Sequence, residues 1–495
     1  MLEKKRFHPL ALILLFFQEL KTWSFLFFFI FINIQRLAGN VWLAVSAVLL
    51  IFVIISISAL LRYLTQGYQI YPEKIIIYHG VFRKHETDIP YERIQTIKQK
   101  QWFFLQPFRV VELMIETASG GSTEKAEASL LAVSEELIEV IENYRISKKF
   151  ECSQSKITYK VEDSFYSYQV TNRQILLFGI TDLNMLTVAA AISIFLDDFI
   201  PDDWIEQALS ASQKLIRFGL LVFVGIIALI LLLLAFLSIV RNFFKYYHFR
   251  VSRQETTLTI ESGLLERRIQ KIPLKKIQGI KIRQQLIRKL LRISSVELLL
   301  AGGQEERESA KIYFLPIIAD DELYENLHRL LPEWSFSNPE IQYISRKKLW
   351  YFWRWPLILL LPMIVGAFHF NLWLGLLGSL FLMTLLLLTW LNAYYQGFAI
   401  QTTSRICIQT FTVLTKIQTI VDRDKIQSFT EKTTHRLFKK RIGHIKFCLK
   451  TGTSAEKVAL RYVEKQTIDV LKNTFLKNRM IKGYNRTESF KINNK

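Results

Sequence analysis

The sequence has few cysteines and comparatively few acidic residues for its length. Three cysteines, Cys152, Cys407 and Cys448, are spread over 495 residues, and no two of them lie close together. This spacing excludes the dense disulfide framework of small secreted domains. Asp and Glu number 43 against 64 Lys and Arg, which gives a net charge of +21. Such an excess of basic residues is typical of proteins that contact anionic partners.

The sequence also lacks the motifs of common catalytic sites. It has no H-E-x-x-H, G-x-S-x-G or G-x-x-x-x-G-K-[ST] motif, and its eight histidines form no metal-ligand pair. The clustered carboxylates Asp197, Asp198, Asp202 and Asp203 suit either a divalent cation or an acidic loop that sets membrane topology, and we favour the loop. We therefore expect no enzyme activity, no cofactor and no metal site.

Long apolar runs are the most prominent feature that is present. Hydrophobic residues make up 51% of the chain, and three runs hold about 20 nearly uncharged residues each, the length that a helix needs to cross a bilayer. These runs occupy residues 40–61, 215–240 and 372–395. Each follows a weaker apolar stretch, at residues 23–34, 186–200 and 355–370. The pairs predict six transmembrane helices in three hairpins.

The distribution of charge predicts the orientation of these spans. The connector at residues 196–213 carries five acidic residues and no basic one, whereas nearly all Lys and Arg lie in the N-terminus and in the three long segments after the hairpins. Positively charged loops stay preferentially on the cytoplasmic side of a membrane. We therefore expect a multi-pass protein of the cell membrane, with its N-terminus and its three long segments in the cytoplasm.

Three short apolar or aromatic stretches precede the predicted hairpins. They occupy residues 13–20, 175–183 and 347–355, and each is too short to cross a bilayer. We interpret them as interfacial helices, with Trp350, Trp353 and Trp355 at the depth of the lipid headgroups. The alternative is that each stretch extends the first span of its hairpin.

The same phrase occurs three times along the chain. Residues 89–120, 272–303 and 421–452 align without gaps as segments 1, 2 and 3, and an Ile, a Gln and an Arg match in all of them. The matched residues are Ile94, Gln95 and Arg109 in segment 1, Ile277, Gln278 and Arg292 in segment 2, and Ile426, Gln427 and Arg441 in segment 3. Equal spacing over 32 residues indicates an internal duplication.

The matched residue types have different interpretations. A fixed Ile in a strand is most often a core residue, and a Gln beside it most often caps a neighbouring backbone group. The arginines suit either a structural role or a surface role. Gly80 and Gly263, which precede segments 1 and 2 at the same distance, suit tight turns with positive φ.

Alternating apolar and polar stretches precede each segment, and a helical pattern follows it. The order of features resembles the bacterial membrane-flanked PH-like domain family: two membrane helices, a strand-rich unit with an early glycine, an Ile-Pro and Ile-Gln phrase, and a terminal helix. Three copies of this order resemble the YdbT branch of the family. The resemblance implies two nearly orthogonal antiparallel sheets capped by a C-terminal helix, and no enzyme activity. Segment 3 departs from this pattern, since Thr412 replaces the glycine and Val421-Asp422 replaces Ile-Pro.

The predicted fold is therefore an α+β membrane protein. Six transmembrane helices form three hairpins, and each hairpin is followed by a cytoplasmic PH-like β-barrel or sandwich domain with a C-terminal helix. The predicted boundaries are an N-terminal interfacial segment with the first hairpin (1–64), PH-like domain 1 (65–150), the second hairpin (170–245), PH-like domain 2 (246–335), the third hairpin (346–395), PH-like domain 3 (396–480) and a basic tail (481–495).

Basic residues are concentrated in segments 2 and 3. Residues 264–292 hold ten Lys and Arg against one acid, and residues 432–446 hold six without any acid. Beside an anionic inner leaflet, each Lys or Arg contributes about 1 kcal/mol of attraction. The candidate surface for anionic phospholipid or a partner comprises Lys275, Lys276, Lys281, Arg283, Arg288, Lys289, Arg292, Arg109, Arg441, Lys439 and Lys440. The alternative is that this charge only sets topology and solvates the surface.

The expected function is that of a non-enzymatic membrane scaffold. Three PH-like domains on one leaflet would combine weak contacts into strong avidity for anionic phospholipid, or for a related PH-like membrane protein in a homo- or hetero-oligomer. Nucleic acid is not expected as a partner, because no DNA-binding motif accompanies the charge. The resemblance makes a role in envelope stress or antimicrobial-peptide tolerance an expectation. A transporter or a transporter accessory subunit is the alternative, although the three strong spans have no ionisable residue in their interiors.

Overall fold

A computed structural model describes the greater part of the chain. The described residues are 4–32, 41–81, 83–117, 128–151, 166–181, 219–254, 256–301, 312–343, 348–402, 405–412, 414–451 and 454–473. Contacts divide the chain into two compact units. Unit 1 comprises residues 1–165, 244–274 and 303–309, and unit 2 comprises residues 166–243, 275–302 and 310–495. Segment 2 therefore begins in unit 1 and continues in unit 2.

The helices range from single turns to lengths that match a bilayer. In chain order they are α1 (Ala11–Ile32), α2 (Val41–Thr65), α3 (Glu135–Glu151), α4 (Asn172–Ile180), α5 (Gly219–Tyr246), α6 (Leu286–Leu290), α7 (Asp320–Leu330), α8 (Leu349–Phe370), α9 (Leu372–Tyr395) and α10 (His435–Lys439). Residues 465–473 are also helical. A mixed α+β fold is confirmed, because strands occupy much of the remaining described chain.

The strands are short and lie between the helices. They are β1 (Gly67–Ile70), β2 (Lys74–His79), β3 (His85–Pro90), β4 (Ile94–Trp102), β5 (Val110–Thr117), β6 (Ala128–Ser134), β7 (Ser167–Gln169), β8 (Arg250–Gln254), β9 (Thr257–Ser262), β10 (Glu266–Pro273), β11 (Ile277–Gln285), β12 (Ile293–Leu300), β13 (Tyr313–Ala319), β14 (Gln342–Tyr343), β15 (Gly397–Thr402), β16 (Arg405–Thr412), β17 (Thr415–Asp422), β18 (Ile426–Lys432), β19 (Ile442–Thr451) and β20 (Ser454–Glu464). Within each unit, the described strands pair in antiparallel fashion.

The predicted count of membrane helices is wrong. Within the described residues, three helical stretches are long and apolar enough to cross a membrane, namely Val48–Thr65 in α2 and the whole of α8 and α9. The part of the chain that the structure describes therefore does not contain the predicted six transmembrane helices in three hairpins. The weak apolar stretch at residues 186–200 and the acidic connector at residues 196–213 lie outside the described residues.

Helices α8 and α9 form one antiparallel pair. Asn371 separates them, and its side-chain oxygen accepts a hydrogen bond of 2.8 Å from the backbone N–H of Trp373, which caps the start of α9. Large apolar side chains on their outer faces are exposed, such as Met363 at 70% and Leu377 at 63%. An apolar surface of this kind is typical of helices that contact lipid.

The three aligned segments lie within longer repeats, residues 67–151, 250–330 and 397–473, which we call segments 1, 2 and 3 from here on and which have the same order of elements. In each, three strands lead into a 3-10 turn, three further strands follow, and a helix begins directly after the sixth strand. The turns are Tyr91–Arg93, Leu274–Lys276 and Arg423–Lys425. In segments 1 and 2 the Ile-Pro phrase ends the third strand, because proline has no N–H to donate to a ladder, and in segment 3 the third strand ends at Asp422. The Ile-Gln phrase begins the fourth strand.

Strands from successive segments share sheets. Unit 1 contains a sheet of order β1-β2-β3 and a sheet in which β6-β5-β4 continues directly into β10-β9-β8. Unit 2 contains a sheet in which β13-β12-β11 continues into β17-β16-β15-β14, and a sheet of order β18-β19-β20. The fourth strand of one segment thus pairs with the third strand of the next segment. A sheet therefore does not coincide with a predicted domain.

These two junctions between segments have the same register. Gln270 of β10 lies opposite Lys98 of β4, and Thr419 of β17 lies opposite Lys281 of β11. Both pairs occupy the same two positions of the sequence alignment. The register of an antiparallel pair fixes which side chains face the core, so the two junctions present equivalent faces.

Each unit has its own apolar core. In unit 1 the core includes Ile75 and Ile77 of β2, Ile97 of β4 and Ile115 of β5, all at most 1% exposed. In unit 2 a corresponding cluster is built from β16, β19, β20 and the helical residues 465–473, and it includes Ile406, Phe447, Leu460 and Ile468. Alternating strand residues supply both cores, as the sequence pattern predicts.

Two glycines make the turns between the second and third strands. Gly80 has φ of 102° and Gly263 has φ of 110°, a region that residues with a Cβ rarely adopt. A Cβ on Gly263 would lie 2.0 Å from the carbonyl oxygen of Glu266. In segment 3, where Thr412 stands in this place, the hairpin uses Leu414 with φ of 59° instead. The chain therefore makes this turn with a different left-handed residue when the glycine is missing.

We predict that Gly263→Ala destabilises the protein. The new Cβ would require a shift of the Glu266 carbonyl and a strained φ, at a cost of about 1–3 kcal/mol. The thermal midpoint of the purified chain in detergent should fall. Gly366→Ala is the matched control, because nothing lies within 4 Å of its Cβ position in α8. Equal midpoints for the two variants would contradict the prediction.

Candidate functional site

The matched isoleucines and glutamines occupy a β-bulge. Ile94, Ile277 and Ile426 are buried, with 7%, 2% and 3% of their surfaces exposed. The register of the fourth strand shifts directly after each of them, so that the following Gln is the extra residue of the bulge. A bulge bends a strand and increases its twist. The Ile-Gln phrase therefore bends the chain as it leaves the 3-10 turn and enters a new sheet.

The matched arginines have a left-handed backbone. The φ values of Arg109, Arg292 and Arg441 are 49°, 52° and 55°. Each arginine carbonyl accepts a hydrogen bond from the first N–H of the helix that ends the segment. The donors are Glu135, Asp320 and Lys465, at 3.2, 2.9 and 2.9 Å. This contact satisfies one of the N–H groups that a helix start leaves without an internal partner.

The arginines are the last residues of three equivalent loop tips. We define tip 1 as residues 103–109, tip 2 as residues 286–292 and tip 3 as residues 435–441, which align without gaps. Each tip exposes large apolar side chains next to its exposed arginine. These are Phe103 and Phe108 in tip 1, Leu286, Ile287, Leu290 and Leu291 in tip 2, and Phe438 in tip 3. Leu290 is 81% exposed and Phe438 is 68% exposed.

One side chain anchors each tip to the protein. Leu105, Arg288 and Leu437 occupy the same alignment position, and they are 0%, 3% and 2% exposed. The anchor points inward while its neighbours point outward. The tips therefore have a fixed base and an exposed apolar and basic surface.

Tip 1 lies at the start of α1. Its anchor Leu105 belongs to the same apolar cluster as Phe7 and Ala11, and the Phe108 ring lies 6.1 Å from the His8 ring. The backbone N–H of His8 also donates to the Ala132 carbonyl at 3.0 Å. The chain that leads into α1 is thus held directly beside tip 1.

Tip 2 lies between α4 and the end of α9. Arg288, which we predicted to lie on a lipid-facing surface, is instead buried. Its guanidinium donates to the Thr181 hydroxyl at 2.9 Å, to the Ser295 hydroxyl at 3.1 Å and to the Phe178 carbonyl at 3.3 Å, and it lies 4.4 Å from the centre of the Phe178 ring. Arg288 is therefore a structural residue that ties α4 to the tip.

The neighbouring Lys289 has a partner as well. Its ammonium donates to the Tyr395 hydroxyl and lies 4.0 Å from the centre of the Tyr395 ring. Tyr395 is the last residue of the apolar helix α9. This contact places tip 2 at the end of a membrane-length helix.

Tip 3 lies at the start of α8. Its anchor Leu437 clusters with Tyr462, and Tyr351 and Phe352 from the first turn of α8 pack against this cluster. The Lys440 ammonium is 5.9 Å from the centre of the Tyr351 ring. All three tips thus contact the end of a long apolar helix or the stretch that leads into one.

The other predicted basic residues do not form one surface. Lys281 is buried and pairs with Glu456 at 2.8 Å, and Arg283 pairs with Glu297 at 2.8 Å. Lys275 is exposed, and Lys276 is half-buried in the 3-10 turn. The predicted cations that are exposed in the tips are Arg109, Arg292, Lys439, Lys440 and Arg441, and Arg436 of tip 3 is exposed as well. Together with the half-buried Lys289 at the end of α9, these residues lie beside the long apolar helices.

Sequence reasoning missed the apolar half of the site. Phe103, Phe108, Leu290 and Phe438 were not predicted as functional residues, although each stands beside a matched position. The available signal was a bulky apolar side chain inside a turn between two strands, where polar residues are usual.

A polar cleft of about 400 Å³ in unit 1 is a different kind of site. Its lining includes Glu135, Glu139, Glu261, Arg250, Arg267 and Lys271, so that acidic and basic groups are balanced. Lys271 is already paired with Glu142 at 2.6 Å. This balance of charge does not favour an anionic ligand.

No group of three or more His, Cys, Asp or Glu suited to a metal ion occurs within the residues that the structure describes. The carboxylates Asp197, Asp198, Asp202 and Asp203 lie outside those residues. The side chain of Gln95 is likewise outside the described part of the chain, whereas Gln278 is buried and Gln427 is exposed.

Comparison with known proteins identifies the class. Residues 25–146 and 209–331 match the model of the bacterial PH domain family, which supports a membrane protein with PH-like domains. It is similar to the transmembrane protein YdbT of Bacillus subtilis (strain 168). The two are 28% identical over 362 residues, which cover 68% of this chain and 71% of that protein. No solved structure matches the chain.

We predict that Arg288→Leu destabilises unit 2 although leucine stands in this position in tips 1 and 3. The substitution removes the hydrogen bonds that the guanidinium donates to Thr181, Ser295 and the Phe178 carbonyl, and a hydrogen bond from a charged group contributes about 1.5–3 kcal/mol. Adding Thr181→Val and Ser295→Ala should recover part of the thermal midpoint, because both hydroxyl groups are then removed. Arg292→Leu is the exposed control. No recovery in the triple variant would contradict the structural role.

His444 gives a prediction about pH. Burial lowers the pKa of His444, and the positive charges of Arg461 and Arg354 lower it further. Its Nδ1 also accepts a hydrogen bond from the Tyr462 N–H at 3.3 Å, which requires an unprotonated nitrogen. The unfolded chain therefore binds this proton more readily than the folded chain, and stability must fall as pH falls below about 6.5.

The thermal midpoint should thus decrease between neutral pH and pH values below the ordinary histidine pKa. His444→Gln should show a smaller decrease, because it has no proton to take up. His328→Gln, at an exposed position of α7, should keep the decrease of the parent chain. Identical pH profiles for the parent chain and His444→Gln would show that the prediction is wrong.

Proposed function

We propose that the chain is a non-enzymatic, multi-pass protein of the cell membrane whose tips dock on anionic phospholipid at the cytoplasmic surface. The PH-like domains then act as a scaffold that is held close to the bilayer and presents its remaining surfaces to partner proteins. The observation that carries this proposal is the threefold occurrence of an exposed apolar and basic tip beside the end of a long apolar helix.

The composition of the tips supports an interfacial location. Transfer of one Phe or Leu side chain out of water contributes about 1.5–3 kcal/mol. Each Lys or Arg near an anionic surface contributes about 1 kcal/mol. Tip 3 combines Phe438 with Arg436, Lys439, Lys440 and Arg441, and no acidic residue lies within it. One such tip binds weakly, and several tips on one chain bind with higher avidity.

The backbone of the arginines supports a role for their side chains. A left-handed conformation costs a residue with a Cβ about 1–2 kcal/mol, and glycine avoids this cost. Arg109, Arg292 and Arg441 nevertheless occupy this conformation in all three tips, with their side chains exposed. A residue that is kept at a strained position while its side chain points into solvent is a candidate for binding.

The distribution of charge supports the cytoplasmic side. The tips belong to the basic parts of the chain, whereas the connector at residues 196–213 is acidic. Basic segments next to membrane helices remain preferentially in the cytoplasm, where the inner leaflet supplies anionic lipid. The proposal places the tips and the anionic lipid on the same side of the membrane.

A spin label at position 438 tests the proposal. In the full chain, with Cys152, Cys407 and Cys448 replaced, Phe438→Cys carries a nitroxide in nanodiscs of phosphatidylcholine with or without phosphatidylglycerol. We predict that phosphatidylglycerol increases the accessibility of the label to oxygen relative to a water-soluble nickel complex, because the apolar tip enters the lipid. Replacement of Lys439, Lys440 and Arg441 by glutamine should abolish most of this increase.

The control variant removes the same charge elsewhere. Arg329→Gln, Lys457→Gln and Lys472→Gln change exposed residues outside the tips, and the label at position 438 should respond to phosphatidylglycerol as in the parent chain. A label at Arg329→Cys should stay accessible to the nickel complex in both lipids. Equal accessibility of position 438 with and without phosphatidylglycerol would contradict docking on anionic lipid.

A further inference from the structure

Two strand pairings inside the chain show how one segment joins the next. The junctions β4·β10 in unit 1 and β11·β17 in unit 2 each pair the fourth strand of a segment with the third strand of its successor. Both are antiparallel and have the same register. The chain therefore uses one type of edge-to-edge contact twice.

The first and the last segment each have one strand that corresponds to a junction strand but has no neighbouring segment to pair with. Strand β3 is the third strand of segment 1, and it corresponds to β10 and β17, which both pair with a preceding segment. Strand β18 is the fourth strand of segment 3, and it corresponds to β4 and β11. Within the described residues, β3 ends the sheet β1-β2-β3 and β18 ends the sheet β18-β19-β20.

We propose that β18 of one chain pairs with β3 of a second copy of the same chain. The contact is antiparallel and head-to-tail, and it repeats the two junctions within the chain. Thr87 and Thr430 occupy the alignment positions of the opposed pairs Gln270/Lys98 and Thr419/Lys281. The register of the proposed contact therefore places Thr87 opposite Thr430 and His85 opposite Lys432.

Charges on β3 do not prevent this pairing. Glu86 and Asp88 are exposed, and charged side chains often protect a sheet edge from association. However, β10 carries Arg267, Arg268 and Lys271 and pairs with β4 nonetheless, with Arg268 directly opposite Lys100. The internal junction thus tolerates opposed charges of the same sign.

In the proposed register one pair of acidic residues lies directly opposite each other, and the repulsion between them is reduced. Glu86 would lie opposite Glu431, and the Lys465 ammonium donates to Glu431 at 2.8 and 3.0 Å. Asp88 has its own partner in Lys74. Pro90 at the end of β3 corresponds to Pro273 at the end of β10, which does not stop β10 from pairing.

A second copy of the same chain is the partner that fits these two strand edges. The same sequence supplies both edges, and each edge has the form that already pairs twice. Because the two edges differ, the contact is heterologous and joins chains into a ring or an open row rather than a closed twofold dimer. Chains anchored in one membrane share an orientation, which favours lateral contacts between their domains.

Disulfide formation between two single-cysteine chains tests this inference. One full-length chain carries Thr87→Cys and a second, with a different tag, carries Thr430→Cys, both without the natural cysteines. Opposed residues of an antiparallel pair have Cα atoms about 4.5–5.5 Å apart, a distance that a disulfide spans. When the chains are co-expressed and oxidised in native membranes, we expect a crosslinked dimer that carries both tags.

Control pairs distinguish crosslinks that form in the proposed register from crosslinks that form by random collision. His85→Cys with Lys432→Cys, at two exposed positions of the same register, should also crosslink. Glu86→Cys with Thr430→Cys should crosslink at least tenfold less, because a shift of one residue turns the side chain to the other face of the strand. Each single-cysteine chain expressed alone should give no dimer.

Two results would overturn the inference. The first is the absence of a dimer with both tags for either pair in the proposed register. The second is a disulfide that forms only within one chain when Thr87→Cys and Thr430→Cys are combined in it. This experiment does not depend on lipid docking, because a change in spin-label accessibility and an intermolecular crosslink are read separately.

Discussion

The pairing of sheet edges is the constraint on which this structure depends. Every strand edge exposes N–H and C=O groups that require partners. One edge of β4 and one edge of β11 pair with a strand of their own segment, and the other edge of each pairs with a strand of the following segment. As a result the three segments are joined by continuous backbone ladders and not only by flexible connections. A ladder between segments also fixes their mutual register, so that equivalent features recur in the same orientation within each shared sheet.

The tips follow from this framework together with the bend at the Ile-Gln phrase. The bulge turns the fourth strand, the strand ends in the tip, and the left-handed arginine closes the tip by accepting a hydrogen bond from the next helix. One anchor residue then holds the tip against the protein. The exposed apolar and cationic side chains are thereby fixed beside the ends of long apolar helices, which is the location that contact with a bilayer surface requires.

Local patterns were sufficient for part of this description and insufficient for the rest. Alternation placed Ile94, Ile277 and Ile426 on strands, and the glycine pattern placed turns at Gly80 and Gly263. The burial of Arg288 was not predictable, because its partners Thr181 and Phe178 lie more than a hundred residues away in sequence. The pairing of β4 with β10 was missed for the same reason, since alternation defines a strand but not its partner. Apolar length alone predicted six membrane helices, and this number was wrong.

The ladder between β4 and β10 also has a consequence for biosynthesis. When the ribosome has completed segment 1, β10 has not yet been made, and the long helix α5 must be synthesised before it. During that interval a nascent chain presents an open strand edge to its surroundings. Contacts between residues so distant in sequence form slowly, and unpaired edges promote aggregation. A stop codon or a stalled ribosome between the two strands would therefore yield a fragment that needs chaperone protection or rapid proteolysis.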